Sequence, residues 1–349
     1  MGRATFLFAR LRANIYPFEI VAFASLVATV TFLRLHHLRI DWQTFEYTVP
    51  PLVPVMGKYF AIGVGLYLVY LLLRRQRVTP YIRRVLSLSW LTLTGRLWLA
   101  IIVFTYCYLW LKVCAPLVNH RLWDAAFWRL DTILHFGFSP SLFLLGLTEG
   151  TGLIGLLDQW YKLWLPSVSL SIAFFMSLPG ARVRRRFVLS CVLIWVLGAW
   201  TYVSLPALGP IYAFHPHWEN ALPDLPEASA AQELLWGNYE KVIAGRTGNL
   251  KQFNPTLGIA AMPSLHVGVH WLLMLWIRRY ARPFFVPAVI GTFLTFLGSI
   301  ATGWHYAIDG YVGIGLGQLS FWLAHRTERR PQARFALAPL ATTSESTGQ

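Results

Sequence analysis

The feature that most constrains this chain is a series of apolar runs, each about long enough to cross a lipid bilayer. A helical span needs ~20 mainly apolar residues, because hydrocarbon offers no partner to the backbone polar groups. Eight spans are predicted, at 18–35, 56–73, 88–111, 152–178, 187–206, 263–277, 284–303 and 308–324. The pattern predicts an all-α, polytopic membrane helix bundle. Its last six spans form a compact core, and the first two form an added N-terminal hairpin. Composition agrees: 56% of the 349 residues are hydrophobic and 13% charged, with a mean hydropathy of +0.50. Soluble domains carry roughly twice that charged fraction. The expected division is 1–85 (hairpin and basic loop), 86–330 (six-span core) and 331–349 (a disordered cytoplasmic tail). Residues 1–18 hold Arg3, Arg10 and Arg12 without a clean apolar core, so no cleavable signal peptide is read there.

Net charge is +15, which by itself would suit a nucleic-acid binder. Its distribution excludes that partner. Nineteen of the 30 basic residues sit in five clusters between or beside spans: Arg3–Arg12, Arg74–Arg84, Arg182–Arg186, Arg278–Arg282 and Arg326–Arg334. Basic clusters alternating with apolar spans mark the cytoplasmic side. With eight spans both termini are cytoplasmic, in a bacterial inner or plasma membrane. The three cysteines, Cys107, Cys114 and Cys191, lie in or beside spans without paired spacing, which reads as buried thiols rather than a disulfide framework.

Outside the spans, the stretch RLWDAAFWRLDTILHFG places Leu122, Phe127, Leu130 and Leu134 near one helical face. This predicts an interfacial helix. Asp131 and His135 on it read as a surface or structural pair. Asp158 and Lys162, also four apart, read as an ion pair near the outer end of the fourth span.

Ionisable groups inside spans are costly, so they are functional candidates. In GIAAMPSLHVGVH, Pro263 suits a first helical turn, Ser264 adds a hydroxyl, and a helix start of this kind favours an anion such as phosphate. His266, one turn further in, can serve as acid and base. In TGWHYAIDG, His305 and Asp309 share a helix face, so the carboxylate can fix the imidazole tautomer and leave the other nitrogen as base or nucleophile. Charge counting places His266, His305 and Asp309 together at the outer face. His266 and His270 also have zinc-like spacing, but no acidic base stands between them; no metal or other cofactor is expected, and His270 reads as a packing residue.

The two stretches, MPSLHVG and GSIATGWHYAIDG, resemble the second and third signature motifs of the type 2 phosphatidic acid phosphatase superfamily. Within it the chain is most similar to the inositolphosphotransferase branch. The resemblance implies that His305 is the nucleophile and forms a phosphohistidine, that Asp309 orients it, that His266 is the acid–base partner and that Ser264 contacts phosphate. It also exposes departures. Where many members carry Lys-x6-Arg-Pro, this chain has Tyr202, Gly209 and Pro210; where they carry Ser-Arg before the nucleophile, it has Gly298 and Ser299. Three phosphate-clamping cations are thus missing, with Lys162, Arg246 and Lys251 as possible replacements. Fewer cations suit a phosphodiester donor better than a monoester. The expected partners are a membrane phospholipid donor and either water or a lipid alcohol as acceptor. A lipid phosphate monoester phosphatase (phosphatidate or polyprenyl diphosphate type) is the alternative enzyme, and a proton-coupled transporter the non-enzyme alternative. Oligomeric state is not legible.

Overall fold

The computed structural model describes residues 15–38, 50, 52–148, 150–244 and 254–327. Arg246, Lys251 and the expected tail at 331–349 lie outside the described residues. Among those described the chain is helical and contains no strand. In chain order the helices are α1 (Pro17–Leu35), α2 (Leu52–Leu73), α3 (Thr79–Val85), α4 (Leu88–Val118), α5 (Asp124–Leu134), α6 (Pro140–Thr148) and α7 (Leu153–Lys162). They continue as α8 (Trp164–Ser177), α9 (Ala181–Ser204), α10 (Pro210–Ala213), α11 (Pro226–Ala244), α12 (Leu265–Tyr280), α13 (Phe285–Ala301) and α14 (Ala307–Thr327).

Helices cover the eight expected spans, the fourth by two helices, α7 and α8, and five of the described helical segments are long and apolar enough to cross a membrane: α1, α2, α4, α9 and the segment Arg282–Ala301. The segment of α7 and α8, joined to α6 through a 116° bend, raises that number to six if the bent pair counts as one span. The other two differ for a physical reason. Helix α12 has 16 residues, or ~24 Å at 1.5 Å per residue, and α14 carries Asp309, Gln318, His325 and Arg326. These are the two helices that bear the candidate chemistry.

The main core forms where α4, α8, α9, α12 and α14 meet, with Leu97, Phe104, Phe187, Val192, Leu272 and Trp276 buried together. Helix α1 packs on α4 and α9, and α2 on α8. Arg96 of α4 pins α1 through Glu19 at 2.6 Å. Helices α12 and α14 cross almost backbone to backbone: a Cβ on Gly313 would stand 2.2 Å from the Ser264 carbonyl oxygen, and one on Gly268 would stand 2.6 Å from the Gly313 oxygen. Small residues at such a crossing are the usual means of bringing membrane helices close.

The two ends of the bundle differ chemically. At one end Arg184 is fully buried, its guanidinium 4.1 Å from the Trp90 ring and bonded to the Thr94 hydroxyl. The last turns of α12 and α14 carry Arg278, Arg279 and Arg326. The first turns of the same two helices hold His266 and Asp309, so the histidine motifs lie at the end opposite those arginines.

Candidate active site

Helix α12 starts at Leu265, with Ser264 as its N-cap: the hydroxyl accepts from the Val267 N–H at 3.4 Å. Pro263 therefore stands one residue before the cap, not inside the first turn. The Ser264 N–H donates to the Asp309 carbonyl oxygen at 2.9 Å. This bond ties the His266 motif to the His305 motif directly.

His305 lies in the loop between α13 and α14 and is 4% exposed. Its Nδ1 is 2.9 Å from the Ala261 carbonyl oxygen and 3.3 Å from Asp309 Oδ2. A carbonyl can only accept, so the proton sits on Nδ1 and the lone pair is left on Nε2. Burial, reinforced by the Lys112 charge, lowers the imidazole to about 3, so the ring is neutral at ordinary pH. Asp309 Oδ2 also accepts from the Tyr306 N–H at 2.9 Å. The His266 ring centre is 5.7 Å from that of His305, held between Tyr161 (4.9 Å) and Trp164 (4.4 Å). The two histidines line one cavity of about 390 Å³ together with Lys112, Lys162, Tyr161 and Trp304.

His270 is not free to bind metal with His266. Its Nδ1 meets the Thr295 hydroxyl at 2.7 Å and its Nε2 the Ser167 hydroxyl at 2.8 Å, so both ring nitrogens are engaged within the protein.

Three aspartates that sequence patterns left at the margin hold the surrounding frame. Asp124 accepts from the Leu208 and Gly209 N–H groups and from the Tyr306 hydroxyl, at 2.8–3.0 Å. Asp131 accepts from Ala307 and Ile308, the first N–H groups of α14, at 2.6 and 2.8 Å. Burial pushes both carboxyls up, and the N–H groups pull them back. Helix α5 thus turns Asp124, Phe127 and Asp131 inward, while Leu130 and Leu134 face out, as does Leu122 just before it. His135 follows Asp131 into the frame, its Nε2 2.9 Å from the Tyr311 hydroxyl. Asp158 accepts from Glu227 and Ala228 at the start of α11, both at 2.9 Å. The expected Asp158–Lys162 ion pair is therefore replaced: Lys162 pairs with Glu227 at 2.6 Å, because Asp158 is already engaged by two backbone donors.

The remaining sequence candidates fall as follows. Lys162 lines the cavity but is neutralised by Glu227. Tyr202 is buried, with Lys112 Nζ 5.8 Å from its ring. Lys112, which sequence reasoning missed, enters the cavity from α4 with no carboxylate partner among the described residues. Its one signal was a lysine near the end of a long apolar run. One of the missing clamps also has a steric cause. A Cβ on Gly209, whose φ is +104°, would stand 2.6 Å from the Trp304 carbonyl oxygen. No long side chain fits at Gly209.

A family model described as the PAP2 superfamily matches residues 125–323, more than half of the chain. The chain belongs to the PAP2 superfamily. No curated protein and no solved structure matches it. The matched region runs from α5 to α14 and contains His266, His305, Asp309 and, of the frame, Asp131, Asp158 and Tyr306, but not Asp124. Superfamily membership and the apolar helices together fit a membrane-embedded phosphatase or phosphotransferase.

Proposed function

We propose that the chain is a lipid phosphotransferase, inositolphosphotransferase-like, that works through a phosphohistidine at the non-cytoplasmic face, with both termini cytoplasmic. The observation that carries the reading is the cavity shared by His266 and His305, with the His305 proton tied to Nδ1. In the first step the Nε2 lone pair of His305 attacks phosphorus, an N–P bond forms, and the P–O bond to the leaving group breaks. Protonated His266 gives its proton to the departing oxygen. In the second step neutral His266 takes the proton of an acceptor hydroxyl, whose oxygen attacks phosphorus and releases His305. Throughout, Ala261 and Asp309 hold the Nδ1 proton, and the Asp309 charge offsets the positive phosphoimidazole.

The charge inventory supports a phosphodiester donor. Asp158 is occupied by N–H groups and Glu227 by Lys162, which leaves Lys112 as the uncompensated cation among the described cavity residues. A monoester carries close to two charges and a diester one. The placement of the site opposite the arginine-bearing helix ends supports the non-cytoplasmic face. A lipid monoester phosphatase is the second reading, favoured by the superfamily's own chemistry; water then takes the acceptor's place.

The test is to incubate the purified protein with headgroup-labelled phospholipid, with and without ceramide or another lipid alcohol. Label on the alcohol, passing through an acid-labile protein adduct lost in His305→Ala, is the expected result. Free phosphate released from a monoester alone would sink the transferase reading.

A further inference from the structure

The cavity wall contains two hydrogen-bond donors that the fold leaves without an acceptor. The Tyr161 hydroxyl and the Trp304 indole N–H are both buried and unpartnered among the described residues, and both side chains line the cavity with His266 and His305. A buried donor left unpaired costs stability, so it calls for an explanation. The two rings stack at 6.4 Å and 17°, and Tyr161 lies 4.9 Å from His266, while Trp304 immediately precedes His305 in the chain. They lie beside positions where the usual clamps are absent: the space a Cβ on Gly209 would need abuts the Trp304 carbonyl, and Gly298, which precedes Ser299, would set its Cβ 3.7 Å from the Tyr161 ring. Lys112 completes the group from α4.

We propose that Tyr161 Oη, Trp304 Nε1 and Lys112 Nζ form the phosphate cradle, and that two neutral donors with one cation select a singly charged phosphodiester over a doubly charged monoester. This rests on the phosphoryl-transfer reading of the site. Neutral donors bond phosphate oxygens without adding positive charge, so a second negative charge would face only the His266 proton, which leaves with the departing oxygen. The neighbouring Asp158 carboxylate adds to that discrimination.

The decisive variant is Tyr161→Phe, which deletes one oxygen and keeps the ring. Dioleoylphosphatidylglycerol serves as the diester probe and dioleoylphosphatidic acid as the monoester. Affinity is measured in a His305→Ala background, so binding is read without turnover, and KM and kcat in the parent. Tyr161→Phe and Trp304→Phe are each expected to weaken diester binding roughly 10-fold, with KM rising more than kcat falls. Lys112→Met is expected to lose more, and Lys112→Arg to recover part of it. Removal of an unpaired buried hydroxyl should leave the melting temperature of ligand-free Tyr161→Phe unchanged or raised. Unchanged diester affinity, a lowered melting temperature in Tyr161→Phe, or tighter binding of the monoester would each overturn the cradle. Turnover that survives His305→Ala would instead overturn the phosphoryl-transfer reading, so the two failures are separable.

Discussion

The helix starts around the cavity are closed in two different ways. The segment leading into α10, the start of α11 and the start of α14 each give two backbone N–H groups to a buried carboxylate from another helix. The start of α12 is capped by its own neutral Ser264. A helix N-terminus attracts an anion whatever the anion's origin. Where the protein supplies the anion, the attraction becomes a structural joint. At α12, where His266 sits, no side-chain carboxylate takes that place among the described residues.

The sharpest way to break that contrast is at the chemistry. His305→Gln is expected to lower turnover on the order of 10³-fold or more with the helical circular dichroism retained, while the aspartate joints stay intact. His266→Ala should cost roughly 10²–10⁴-fold in the same assay, less for substrates with good leaving groups. The joints should fail in stability. Asp131→Ala and Asp158→Ala each strand two N–H groups, and a loss of about 1–3 kcal/mol is expected in denaturant or thermal unfolding in detergent. Ser264→Ala removes one weak cap bond and should cost only about 1 kcal/mol; a loss equal to that of Asp158→Ala would erase the distinction.

A separate test is a pH dependence. The folded chain holds His305 near 3, below the ~6.5 of a free imidazole. Between those values the unfolded chain binds a proton that the folded chain refuses. Stability is therefore expected to fall as pH is lowered from about 6.5 towards 3, and the melting temperature of His305→Gln should fall less steeply over that range.

Local patterns were readable where partners are close in sequence. The helices, the His305–Asp309 pair and the inward turn of the two motifs follow from apolar runs and i, i+4 spacing. The site's remaining parts arrive from a distance and leave no local trace. Lys112 and Tyr161 come from α4 and α7, and nothing in their neighbours marks them as facing His266. Asp158 and Lys162 show how spacing misleads. Four apart on one helix, they satisfy the rule for a pair, yet Glu227, 65 residues after Lys162, takes the lysine, and backbone donors take the aspartate. Asp131 looked peripheral because the N–H groups it holds belong to residues 176 and 177 positions later.

The bond from the Ser264 N–H to the Asp309 carbonyl, set within a crossing that only glycines permit, has an evolutionary corollary. The spacing of the two motif histidines is fixed by main chain, which substitutions scarcely alter. The cavity wall supplied by α4, α7 and α11 can change its side chains without moving that pair, so on the phosphotransferase reading a new substrate could be selected with the pair left as it is.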